Sequence, residues 1–199
     1  MYITGIILSA GYSKRLGAFK PFAKYKYSTF LENIIEKLKK YCGEVVVVTG
    51  YNHDFVNEKI SSQKNNKIII TENKNYDKGM FGSIQKGLSE NKNSDWFLIH
   101  QVDQPGLPEE FYKEFVIQID NRHNWIQPKY KERKGHPILV KKETAELILE
   151  EDINSNLRVA SKNKKVFKKI WACNYKEVLQ DIDTEEDYQD LLKTKLQNR

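Results

Sequence analysis

The chain is predicted to fold as an α/β three-layer sandwich around a mostly parallel, mixed central sheet. Three observations carry that expectation. Ile6-Ile7-Leu8 and Val45-Val46-Val47-Val48 are apolar throughout rather than alternating, the pattern of strands covered on both faces. Between them Phe30, Leu31, Ile34, Ile35 and Leu38 recur at helical spacing, which completes one β-α-β unit whose crossover is expected to be right-handed. A third apolar run, Asp95-Trp96-Phe97-Leu98-Ile99-His100, leads directly into a carboxylate at Asp103, the arrangement of a parallel strand that delivers chemistry at its C-terminal end.

The remaining elements follow in order. The first strand opens into the small, cationic stretch Ser9 to Lys20, and Ser28 or Thr29 is the expected N-cap of the helix that ends near Gly43. After the valine strand, closed by Gly50, residues 52 to 61 form a short helix through Phe55, Val56 and Ile60, and Lys67 to Thr71 form a strand. Gly79-Met80-Phe81-Gly82-Ser83 opens a helix that carries Ile84 and Leu88 inward. Beyond Asp103, a helix from Leu107 runs through Phe111, Phe115 and Ile119. Residues 124–128 and 138–140 then flank a polar loop containing Gly135-His136-Pro137 and are expected to form a small antiparallel ribbon over the site. Helices at 142–150 and about 154–161, a strand at 166–170, and a short strand near Val178 before a terminal helix complete the chain. Thr184 is its N-cap and Asp187 stands at the capping-box position.

A length of 199 residues suits one domain, expected to span 1–199, and 39% hydrophobic with 12% aromatic residues supplies a core for it. No run of about 18 apolar residues is present. The N-terminus has no basic region followed by a long apolar segment and a cleavage site, so a cytoplasmic protein without a membrane partner is expected. Cys42 and Cys173 form no Cys-x-x-Cys pair and signal neither a disulfide framework nor a zinc site. The formal charge of +6 comes from dispersed lysines with no aromatic-basic recognition motif, which argues against nucleic acid and suits attraction to a nucleoside triphosphate.

The chemistry is concentrated at the opening loop. Ser9, Ala10, Gly11 and Ser13 have little side-chain bulk, so backbone N–H groups can approach an anion, and Arg15 and Lys20 add fixed positive charge. A polyphosphate is the natural ligand of that combination, although solvated surface cations after a strand have the same composition. The spacing is neither that of the P-loop nor that of the triple-glycine dinucleotide motif. Asp103 is the leading metal-ligand candidate, the alternative being a cap for the turn before Pro105. No Ser-His-Asp or Cys-His constellation is evident, and His53, His100 and His123 lack metal-ligand spacing.

Leu8, Ala10, Gly11, Ser13, Arg15, Leu16, Gly17 and Lys20 fall on the pattern Leu-x-[Ala/Gly]-Gly-x-[Ser/Gly]-x-Arg-[Met/Leu]-Gly-x-x-Lys. With Gly79-Met80 to Ser83, Asp103-Gln104-Pro105, Gly135-His136-Pro137 and Asp181-Ile182-Asp183-Thr184-Glu185-Glu186-Asp187, the chain resembles the sugar-nucleotide-pyrophosphorylase-like nucleotidyltransferases. Within them it looks like the molybdenum-cofactor cytidylyltransferase branch.

That resemblance implies a Rossmann-like fold and Mg²⁺-dependent transfer of a nucleoside monophosphate from a nucleoside triphosphate, CTP favoured, to a phosphate-bearing acceptor of molybdopterin type. Pyrophosphate leaves, and a molybdoenzyme is a candidate recipient of the product. Arg15, Lys20 and Asp103 would be catalytic. Leu8, Ser9, Ala10, Gly11, Ser13, Gly79, Gly82 and Ser83 would join Arg15 and Lys20 at the nucleotide. Asp103 with Asp181 or Asp183 would hold the cation, and Gly135, His136 and Arg158 would face the acceptor. His136 is equally readable as a structural loop residue, and either late aspartate as a helix cap. Two departures stand out: Val102 where the relatives carry glycine, and Asn154-Ser155-Asn156-Leu157-Arg158 where many carry Gly-Asp-x-Gly-x-Arg. The competing readings are transfer to phosphocholine or a sugar phosphate, and a catalytically weak nucleotide-binding accessory protein.

Overall fold

A computed structural model describes residues 1–61 and 66–194. In chain order the first half comprises strand β1 (Ile3–Ser9), 3₁₀ turns at Lys14–Leu16 and Lys20–Phe22, β2 (Lys24–Tyr25), β3 (Ser28–Thr29), helix α1 (Phe30–Leu38), β4 (Glu44–Thr49), α2 (His53–Ser61) and β5 (Ile68–Glu72). A 3₁₀ turn at Tyr76–Lys78 leads to α3 (Met80–Ser89), β6 (Trp96–Gln101) and α4 (Glu109–Val116). The rest is β7 (Trp125–Tyr130), β8 (Arg133–Lys134), β9 (Ile138–Lys141), α5 (Lys142–Glu150), α6 (Leu157–Ala160), β10 (Lys168–Ala172), a 3₁₀ turn at Lys176–Leu179 and α7 (Glu185–Thr194).

The central sheet has the order β10-β7-β9-β6-β1-β4-β5, with β8 paired to β7. β1 pairs in parallel with both β4 and β6, β4 pairs in parallel with β5, and β10 with β7, whereas β9 runs antiparallel to β6 and β7. The sheet is therefore mixed and mostly parallel, as the uninterrupted apolar runs require. Ile7, Val45, Val47 and Leu98 bury one face against α1 and α4, while Ile6, Val46, Val48, Phe97 and Ile99 bury the other against α3 and α5. Each such side chain contributes about 1.5–3 kcal/mol by leaving water. Among the described residues no helix is long and apolar enough to cross a membrane.

Two expected elements differ in place. Residues 124–128 and 138–140 do pair antiparallel, but as full members of the central sheet. Trp125, Ile126, Ile138, Leu139 and Val140 are all buried, so helices must cover both faces of these strands. The separate two-stranded antiparallel sheet is β2 with β3. Near Val178 there is a 3₁₀ turn rather than a strand, because the Val178 carbonyl accepts from the His136 N–H at 2.9 Å and from Gln104 Nε2 at 3.2 Å and is taken out of any ladder. The helix ends are as expected. Thr29 and Glu32 cap α1 reciprocally, and Thr184 and Asp187 do the same at α7.

Candidate active site

The chain runs from β1 to β4 and β5 on one side, then returns to β6 on the other side of β1. The strand order thus reverses between β1 and β6, and their C-terminal ends open the crevice where α/β sheets bind ligands. At the end of β1 the backbone is pinned by Tyr51 N–H to Ala10 O at 3.1 Å and Val102 N–H to Leu8 O at 3.2 Å. The second bond carries the β1–β6 ladder one residue further, and Val102 packs with the core cluster at 8% exposure. Ser13 then enters the left-handed region (φ 56°, ψ 25°), a strained conformation for a residue with a Cβ that turns the loop back toward the sheet. A Cβ at Gly11 would meet nothing within 4 Å, so packing does not demand this glycine and open space faces its backbone.

Leu8, Ser9, Ala10, Gly11, Ser13, Lys20, Gly79, Ser83 and Asp103, all expected site residues, line one cleft together with Pro21, Tyr76, Met80, Gln101 and Val102. Its empty volume of ≈ 690 Å³ includes space open to solvent. Two buried oxygens on its wall, Ser9 Oγ and Asp103 Oδ1, have no hydrogen-bond partner among the described residues. Buried polar atoms are rarely left so without a ligand or water to meet them.

The charges converge beside the cleft. Lys20, only 8% exposed, places Nζ 2.8 Å from Asp183 Oδ1 and 3.5 Å from Asp103 Oδ2. Arg15 reaches Asp183 Oδ2 at 3.0 Å in an adjoining hollow lined by Tyr12, Ser13, Lys20 and Asp183. Burial pushes the Asp103 carboxyl up to about 6 against the pull of Lys20, whereas the Lys20 hydrogen bond holds Asp183 below the usual carboxylate range. The backbone stitches these groups together, since Ile182 N–H donates to Asp103 O at 2.9 Å. Lys37 Nζ fixes the following loop by donating to Pro105 O at 3.0 Å and Leu107 O at 2.6 Å, and burial lowers its ammonium to about 7.

The two late aspartates separate by partner. Asp181 Oδ1 accepts from Gln104 Nε2 at 2.8 Å, while Asp183 shares Lys20 with Asp103. Among the described residues no three His, Cys, Asp or Glu side chains group to hold a metal, so a cation here would take two carboxylates at most from this cluster.

Gly135 packs so closely on Val178 that a Cβ would lie 2.2 Å from its carbonyl oxygen. His136 sits near Asp181, and burial lowers its imidazole below the ordinary value. Gly82 lies outside the cleft lining, because a Cβ there would meet Ile153 Cγ1 at 3.2 Å; it serves helix packing. Arg158 is exposed on α6, absent from the cleft lining and, among the described residues, without an ion pair.

Some of the wall escaped sequence reasoning. Asn73 Nδ2 donates to Ser83 Oγ at 3.0 Å, and Tyr76 lines the cleft; Met80, also in the lining, was legible only as part of Gly79-Met80. Asn73 and Tyr76 lie in an irregular polar segment without periodicity; Gln104 was legible only as part of Asp103-Gln104-Pro105.

Comparison with known proteins bears on this geometry. The chain is 27% identical over 190 residues to the molybdenum cofactor cytidylyltransferase of Escherichia coli (strain K12), covering 92% of each protein. It is 24% identical over 206 residues to a probable molybdenum cofactor guanylyltransferase of Bacillus cytotoxicus, covering 97% of this chain and 98% of the relative. The crystal structure of Rv0371c from Mycobacterium tuberculosis H37Rv in complex with manganese has the same fold, with a TM-score of 0.76 at 17% identity over 98% of this chain and 100% of that one. The family model for the MobA-like NTP transferase domain matches residues 5–169, and the chain belongs to that family of nucleotidyltransferases.

Proposed function

We propose that this chain transfers a nucleoside monophosphate from a nucleoside triphosphate, CTP first, to a phosphate-bearing acceptor of molybdenum-cofactor type and releases pyrophosphate. The observation that carries the reading is the position of Lys20. Its ammonium group is buried between Asp103 and Asp183 at the strand-order reversal, beside the unpartnered oxygens of Ser9 and Asp103. CTP is placed first because the E. coli relative is a cytidylyltransferase, while the Bacillus relative makes GTP the second donor to test.

In the reaction an acceptor phosphate oxygen forms a bond to the α-phosphorus as the bond to the β-phosphate bridge oxygen breaks, and the electron pair leaves with pyrophosphate. No protein nucleophile is required. Lys20 and Arg15 bind the triphosphate and stabilise charge on the leaving group, with the open backbone at Gly11 admitting the phosphates closely. The unpartnered Asp103 Oδ1, with Asp183 beside it, fits a hard cation such as Mg²⁺ that takes one or two carboxylates plus phosphate oxygens. When bound there, such a cation supplies Lewis-acid polarisation of the phosphate and a template for its orientation. Asp181, engaged by Gln104, holds the C-terminal segment in place; His136 beside it is the candidate for the acceptor side, while Gly135 packs on the Val178 carbonyl.

The test is pyrophosphate release from CTP and GTP with Mg²⁺ and a molybdenum-cofactor acceptor. Release that requires the acceptor supports the reading; unchanged turnover in Asp103→Asn contradicts the assigned role of Asp103.

A further inference from the structure

The cleft lined by Ser9, Lys20, Tyr76 and Asp103 has two chemically different ends. Among the described residues Lys20 is the one cation in its lining, and it stands at the Asp103 end, after β6. Tyr76, Gly79, Met80 and Ser83 follow β5 and bring no charged side chain. β1 and β4 lie between β6 and β5 in the sheet, and Tyr76 stands against Gly50, just past the end of β4. A triphosphate belongs at the first end, which leaves the uncharged end for the rest of the nucleotide.

Tyr76 is held there from two sides. Gly50 seats it, because a Cβ on Gly50 would lie 2.5 Å from Tyr76 Cβ and 2.6 Å from Cγ. Tyr12 meets its ring edge-on at a centroid distance of 5.3 Å, and Tyr51 supports Tyr12 at 5.1 Å. A hydrogen bond with Tyr12 also raises the Tyr76 phenol above its usual range. Met80, 52% exposed, stands next in the same wall, and the Asn73 amide donating to Ser83 Oγ leaves the Ser83 hydroxyl proton available to an acceptor in the cleft.

We propose that Tyr76, braced by Tyr12, is a specificity-determining residue of the nucleotide site, and that its ring stacks on the heteroaromatic base of the bound nucleoside triphosphate. The proposal rests on the nucleotidyl-transfer reading above. A ring fixed before binding loses little entropy when a base stacks on it, and base–aromatic stacking is tolerant of base identity because every base has a π-face. Tyr76 therefore discriminates nucleotides from bare polyphosphates more than it discriminates one base from another.

Calorimetric titration of the full chain with CTP, GTP and inorganic tripolyphosphate, each with Mg²⁺, tests this. Tyr76→Ala is expected to weaken both nucleotides on the order of tenfold and leave tripolyphosphate unchanged, while Tyr76→Phe stays within about twofold of the wild type for all three. Tyr76→Leu, which keeps side-chain bulk, is expected to follow Tyr76→Ala. Unchanged nucleotide affinity in Tyr76→Ala and Tyr76→Leu overturns the proposal alone, as does an equal loss of nucleotide and tripolyphosphate binding. A wild-type protein that binds none of the three overturns the transfer reading and the proposal with it.

Discussion

Lys20 shows how much one side chain carries at this site. Its ammonium group stands between two carboxylates while 8% exposed, so a triphosphate entering the cleft finds a positive charge already positioned and screened from water. Charge-assisted hydrogen bonds of this kind contribute about 1.5–3 kcal/mol. Lys20→Ala is accordingly expected to weaken triphosphate binding by ~10- to 100-fold, read by titration, and Asp103→Asn to lower kcat by ~10²- to 10³-fold with nucleotide still bound.

The same aspartate sets a stability trade. Its carboxyl titrates in the native state at about 6 against an ordinary value of 3.8, because burial disfavours its charge. The native chain thus binds more protons than the unfolded chain between these values, and this group's contribution to stability falls as pH rises through that window. Asp103→Asn, neutral and of the same shape, is expected to stabilise the fold by roughly 1–3 kcal/mol at pH 7, with the difference disappearing below about pH 4 in urea titrations.

At the scale of elements, the site depends on how closely α3 lies on β1 and β4. A Cβ on Gly87 would meet Ile6 Cγ2 at 2.6 Å and Val48 Cγ2 at 2.9 Å, so Gly87→Ala must push the helix off the sheet. The gain in helix propensity of about 1 kcal/mol is smaller than the cost of overpacking two β-branched core residues. A net loss of up to ~2 kcal/mol is expected, read as a lower urea midpoint, together with weaker nucleotide binding because Ser83 rides on the same helix.

The capping signals of α1 and α7 were readable in the residues because they are local, within four positions of one another. The strand pair 124–128 and 138–140 was readable as antiparallel but not as part of the main sheet. Which neighbour a strand takes depends on helices distant in sequence, and Ile138 beside Ile99 of β6 is a pairing across 39 residues. Val178 shows the opposite failure, where a β-branched residue that reads as strand spends its carbonyl on His136 and Gln104.

The whole molecule binds its acid stability to a buried histidine. His100 is fully enclosed, hydrogen-bonded to Tyr112 Oη at 2.8 Å, and burial lowers its imidazole to about 3. The unfolded chain takes up this proton near 6.5, so stability is lost as pH falls from about 6.5 toward 3. Between pH 6 and 4 the His100 and Asp103 contributions run in opposite directions. Asp103→Asn is therefore expected to steepen the acid limb of the stability profile, and His100→Gln to flatten it, in urea midpoints measured from pH 4 to 7.

The residues by themselves determined the β-α-β organisation, the small cationic loop after β1, the carboxylate after β6 and the helix caps, since each is written in hydrophobic period or in neighbours a few positions apart. Only the tertiary structure decided that Lys20 lies between Asp103 and Asp183, that Gln104 takes Asp181, that Gly82 packs on Ile153 instead of lining the cleft, and that Arg158 stands outside it. Tyr76 reaches the wall in the same way, from a segment with no pattern of its own. The reason is physical: partners 83 and 163 residues apart meet at Lys20 because the parallel sheet brings several strand ends to one edge, and no local period encodes that meeting.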